Sequence, residues 1–78
     1  METEILEEET DYTAEYIAFI VRKFSDKHRI PLKQAFNYLY DHGGIHFLHE
    51  NYGVEHCENP RITLDSLQFI CKRNGGEL

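Results

Sequence analysis

An all-α fold, a compact bundle of three longer helices and one short one, is what this sequence predicts. Three observations carry that reading. Apolar residues recur every three or four positions in three stretches, the spacing that lines one face of a helix. Glycine pairs and prolines fall between the stretches, where they end one helix and open the next. No stretch alternates apolar and polar residues for long enough to build a sheet. With 78 residues, 41% of them hydrophobic and 13% aromatic, the chain suffices for one domain with a real but thin core. An acidic segment over 1–10 and a single helical domain over 11–76 divide it.

The first helix is expected from Thr13 to Lys27. Asp11 or Thr13 caps its first amides, and Glu15 suits the positive end of its dipole. Tyr16, Ile17, Ile20, Val21 and Phe24 form its inward stripe, which Tyr12 and Phe19 widen on one side. Ile30-Pro31 breaks it, because proline disfavours helix in the residue before it. The second helix runs from Leu32 to Tyr40, with Leu32, Ala35, Phe36, Leu39 and Tyr40 on one face, and Gly43-Gly44 ends it. A short third helix covers Ile45 to Tyr52, with Ile45, Leu48 and Tyr52 inward and Gly53 as its stop. Val54 to Ile62 is a connector with a turn at Asn59-Pro60. The last helix starts near Thr63 as N-cap, carries Leu64, Leu67, Ile70 and Cys71 inward, and stops at Gly75-Gly76. The connector must then cross the bundle, which would at least partly bury Tyr52 and His56 against the first or last helix.

Charge and composition narrow the function classes. The net charge of −6 is uneven. Residues 1–15 hold seven acids (Glu2, Glu4, Glu7, Glu8, Glu9, Asp11, Glu15) and no base. Between Arg22 and Lys33 stand five bases (Arg22, Lys23, Lys27, Arg29, Lys33) against one acid, Asp26. This is a local basic patch, not the overall basic footprint of a nucleic-acid binder. The first residues lack the basic start and apolar run of a secretory signal, and no run approaches the roughly 20 residues that span a bilayer. Cys57 and Cys71 make no disulfide framework. The cytoplasm is the expected compartment, with both thiols reduced.

Chemistry-bearing residues are few and loosely placed. His42, His46, His49 and His56 lie close together beside Cys57, and helical spacing of three or four is what two ligands of one zinc ion need. Yet the HFLHEN stretch lacks the glutamate of a HExxH metalloprotease, and no CxxC pair is present. These residues read as surface and half-buried histidines around a glycine turn, and no metal or cofactor is assigned. Cys57 follows His56, but a working pair also needs a third, orienting group. Cys71 falls on a core stripe. No phosphate-cradling glycine loop and no paired carboxylates appear, so no catalytic residue is assigned and the protein reads as a non-enzyme. A helix-turn-helix reading would make the third helix the recognition helix, yet it holds no Arg or Lys and does hold Glu50. A DNA-facing regulator using the basic patch is the alternative function; a histidine-cluster metal protein is a more distant one.

The aromatics point to partners. Tyr38, Phe47 and Phe69 fall off the stripes of their helices, and the Tyr12–Phe19 edge of the first helix lacks a cover unless Ile5 and Leu6 fold back onto it. Tyr12, Phe19, Tyr38, Phe47 and Phe69 are therefore the candidate protein interface, serving a homodimer or a heteromeric contact.

Tyr16 to Phe24 (YIAFIVRKF), Leu32 to Tyr40 (LKQAFNYLY), then Gly44-Ile45, Phe47-Leu48, Glu50, Tyr52, His56 and the closing CKRNGG together resemble a small bacterial all-helical family known only as a domain of unknown function. The resemblance covers nearly the whole chain after the acidic start. Its motifs are packing and turn residues. Genes of that family commonly sit beside one for an ADP-ribosyltransferase-like domain, an arrangement resembling a toxin–antitoxin or effector–partner pair. The resemblance thus implies a protein–protein interaction module, the small partner or antitoxin of a neighbouring toxin-like enzyme. It also marks His56 as a structural histidine beside Tyr52, since His42, His46 and His49 depart from the family's pattern.

Overall fold

The computed structural model describes residues 2–78, with side chains from Tyr12 onward. Five helices follow one another: α1 (Glu2–His28), α2 (Leu32–Asp41), α3 (Gly44–Glu50), α4 (Tyr52–Glu55) and α5 (Pro60–Arg73). No strand occurs among the described residues. The fold is all-α, as the periodicity predicts.

Helix α1 begins well before the expected Thr13. A run of glutamates is a good helix former, and acids suit the positive end of the dipole, so the acidic start continues the helix rather than fraying from it. Positions 11 and 13 are consequently helix interior, not N-cap positions. The side chains of Ile5, Leu6 and Asp11 lie outside the described residues. At its other end, Arg29 takes the left-handed conformation (φ 55°), the Ile30 amide donates to Ser25 O at 3.1 Å, and Ser25 Oγ donates to Ile30 O at 2.6 Å. These bonds close the helix before Pro31 opens α2.

The core joins all the longer helices. Ile20, Val21 and Phe24 of α1 meet Ala35 and Leu39 of α2, Leu48 of α3, and Leu64, Leu67 and Cys71 of α5. Helix α2 departs from its expected face. Ala35 and Leu39 are buried, but Leu32, Phe36 and Tyr40 are 49%, 42% and 66% exposed. Tyr38, expected outside, instead stacks on Phe24 with centroids 5.8 Å apart. Its hydroxyl accepts from the Leu78 amide at 2.9 Å. The reason is angular. At about 100° per residue, Tyr38 flanks the Ala35–Leu39 line on one side while Phe36 and Tyr40 flank it on the other. The residues after α5 cover only the Tyr38 side.

Two boundaries also differ from expectation. Gly53 is not a stop: α3 ends at Glu50, and Tyr52–Glu55 form one further turn of helix. Helix α5 starts three residues before Thr63, because Asn59 accepts a hydrogen bond from the Arg61 amide at 2.9 Å and Pro60 occupies the first helical position. Thr63 is therefore not a cap but a fully buried residue whose hydroxyl donates to Glu55 Oε1 at 2.9 Å.

His28 carries a pH consequence. Its ring lies 4.3 Å from that of Phe24, and its Nε2 is buried without a hydrogen-bond partner among the described residues. Burial lowers its pKa, and the neighbouring Lys27 charge adds to the effect. The unfolded chain, with an ordinary histidine, takes up the proton first on acidification. Stability is therefore full above the ordinary histidine pKa of about 6.5 and falls as pH drops from there through the lower folded value. Urea unfolding at about pH 8 and pH 5.5 should show a larger loss for the wild type than for His28→Gln. Equal losses would mean that His28 is not the group responsible.

Candidate functional site

A broad concave surface lies where α2 turns its apolar flank outward. The α1 face carrying Ala14, Ile17, Ala18 and Val21 forms one wall, Leu32 and Phe36 of α2 the other, and Ile45 of α3 closes one side. Their spacing in α1 puts these four residues on adjoining turns. Alanines at positions 14 and 18 leave the wall low, so the groove is open and about 800 Å³ in volume. Phe36 and Tyr40 stack at 6.1 Å and extend the apolar surface along the outside of α2. Arg22 and Lys33 are the only charged groups lining the groove among the described residues. No carboxylate, imidazole, thiol or hydroxyl lines it there. Chemically this surface can take an apolar face with acidic flanks.

The five interface candidates from the sequence do not form one surface. Tyr12 and Phe19 are 54% and 43% exposed on the opposite edge of α1. There Phe19 joins Lys23, Lys27 and the start of α5 in a second, more polar cleft. Lys23 Nζ sits 5.4 Å above the Phe19 ring, and Lys27 pairs with Asp65 at 3.5 Å. Phe47 and Phe69 share a shallow cleft between α3 and α5, with Phe47 half-buried against the core and Phe69 64% exposed. Tyr38 points inward. The basic patch is likewise divided: Arg22 and Lys33 line the first groove, Lys23 and Lys27 the second. What the sequence reading missed is the Leu32–Phe36–Tyr40 flank, which it placed in the core. The available signal was the Ala14–Ala18 pair, a low strip beside Val21 that no large side chain of α1 covers.

A polar cluster fastens α4 to the bundle. Tyr16 Oη donates to Glu55 O at 3.0 Å and lies 3.4 Å from Thr63 Oγ1. Burial raises the Tyr16 pKa; the Thr63 hydrogen bond opposes this and the Glu55 charge adds to it. Tyr52 is half-buried and meets Tyr16 edge to face at 5.6 Å. His56 is not buried. It is exposed, stacked on the outer face of Tyr52 at 4.3 Å, with its Nδ1 2.6 Å from Tyr52 O. The physical reason is that the connector coils into α4 instead of crossing the bundle, so the residue four after Tyr52 lands on its solvent side.

The other histidines are dispersed. His42 is half-buried with Nδ1 2.7 Å from Tyr38 O, and His46 and His49 are exposed on α3. No three His, Cys, Asp or Glu side chains converge among the described residues. Cys57 Sγ lies 3.7 Å from His56 Nε2 at the surface, and Cys71 is buried, which raises its pKa. No described helix is long and apolar enough to cross a membrane.

No curated protein and no solved structure matches the chain. A family does: its sequence pattern covers residues 15–74, from Glu15 in α1 to just past the end of α5, and so includes the groove-lining residues except Ala14. The chain belongs to the family described as "Protein of unknown function (DUF3791)".

Proposed function

We propose that this protein is a non-enzymatic protein–protein interaction module that binds through the α1–α2–α3 groove. One observation supports the reading above the rest: Leu32 and Phe36 stand about half exposed beside an apolar trough instead of closing onto the core. Apolar surface gathered into a groove with a charged rim is the form that a partner helix fits. The partner proposed is the toxin-like, ADP-ribosyltransferase-like enzyme implied by the family resemblance, with this chain as its small partner or antitoxin in the cytoplasm.

The immobilised full chain, exposed to lysate of its own host, should retain that enzyme, identified by mass spectrometry. Ala18→Glu and Phe36→Ser should each release it, while Phe69→Ser on the far side should not. Losing one buried aromatic is worth roughly 1.5–3 kcal/mol, so Phe36→Ser should weaken retention about tenfold to a hundredfold. Retention unaffected by both groove substitutions would place the interface elsewhere.

A further inference from the structure

We infer that the groove accepts the acidic half of α1 from a second copy of this chain, in an antiparallel, two-fold pairing. The inference rests on reading the groove as a protein interface and names an occupant for the protein in isolation. Three features of the molecule point to it.

The first is charge. Residues 1–15 hold seven acids and no base, whereas Arg22 to Lys33 hold five bases and one acid. Two α1 helices laid antiparallel bring each acidic half beside the other copy's Arg22 and Lys33. A parallel pairing brings like charges together. The second is continuity. Helix α1 is unbroken from Glu2 to His28, so its acidic half is collinear with the groove wall and cannot turn back onto its own groove. Only another molecule's acidic half can lie there. The third is shape. Ala14 and Ala18 allow close approach of a helix. The trough runs along α1 from Ala14 to Arg22, about 12 Å, or roughly two turns of a partner helix. A two-fold axis near Ala14 uses the same patch twice, which closes the assembly at a dimer.

Sedimentation equilibrium of the full chain at about 10–200 µM should give a mass approaching twice 9.2 kDa, with the dimer weakening at high salt. Ala18→Glu fills the trough with a bulky carboxylate that pairs with Arg22 four residues on, in place of the second copy's acids, and should weaken dimerisation more than about tenfold. Ala18 is exposed in the monomer, so the helical circular dichroism of that variant should stay intact. The decisive pair is a charge exchange. Arg22→Glu with Lys33→Glu, and separately Glu4→Lys with Glu7→Lys and Glu8→Lys, should each be monomeric alone. An equimolar mixture should dimerise, because each then supplies what the other lacks. Phe19→Ser, on the other edge of α1, should dimerise like the wild type.

A monomeric wild type at every concentration overturns the self-pairing while leaving groove-dependent capture of the enzyme as a separate result. A dimer that survives Ala18→Glu but is lost in Phe19→Ser moves the contact to the other edge of α1. A mixture that stays monomeric overturns the antiparallel arrangement.

Discussion

Phe24→Ala is expected to lower stability by about 3–5 kcal/mol, the range for deleting a buried ring from a packed core. Phe24 is fully buried at the centre of the cluster that joins α1, α2, α3 and α5. Its ring is stacked with Tyr38 at 5.8 Å and lies 4.3 Å from His28. Alanine there leaves a hole that three helices line and that none can fill without losing contacts of its own. Among the described residues nine form the buried apolar cluster, and no second core there shares the loss. Domains of this kind are stable by about 5–15 kcal/mol in total, and one this small belongs near the lower end. The melting temperature should fall by roughly 12–40 °C, at about 4–8 °C per kcal/mol for a short chain. Urea titration followed by circular dichroism checks it. A loss under about 1 kcal/mol is incompatible with the burial of this ring.

How much of this was legible in the sequence depends on which physical effect fixed each residue. The inward stripe Ile20–Val21–Phe24 was legible because a long helix shows its period over many turns, and averaging over those turns leaves one direction for the core. Helix α2 has only ten residues, and six of them are apolar or aromatic. Its period is satisfied by two faces, one through Leu32, Phe36 and Tyr40 and one through Ala35, Leu39 and Tyr38. Tertiary contact chose between them: Phe24 and Leu78 reach Tyr38, whereas Tyr40 stays exposed and stacks on Phe36 of its own helix. The groove was invisible for the same reason, since it exists only because the first of those faces was left outside. The start of α5 was misread through Thr63, which resembles an N-cap but uses its hydroxyl on Glu55, while the cap is Asn59. Local chemistry at Asn59-Pro60 favoured a turn and a helix start equally, and the sequence reading took the turn.

Gly53 was misread as a stop, whereas Gly43 takes a left-handed conformation just after α2, where the sequence expects the helix to end, and it supports the second large effect. Gly43→Val is expected to cost about 2–3 kcal/mol, adding the left-handed backbone penalty to a lost hydrogen bond. Gly43 holds φ at 83°, a conformation that a β-branched residue rarely adopts. A Cβ built there comes 2.9 Å from Asn74 Nδ2, the group that donates to His42 O at 2.8 Å. The substitution therefore strains the α2–α3 turn and dislodges the bond that ties this turn to the end of α5. Ile45 and Leu32 sit on the two elements that the turn joins, so the groove should widen and partner retention should fall with stability. Gly53 is the control. It has no positive φ and nothing within 4 Å of its missing Cβ. It lies inside α4, so Gly53→Ala should be neutral or stabilising by up to about 1 kcal/mol. Denaturant titrations of the two variants, side by side with the wild type, decide the matter. Equal costs at both glycines would mean that the Gly43 turn does not hold α2 and α3 in place.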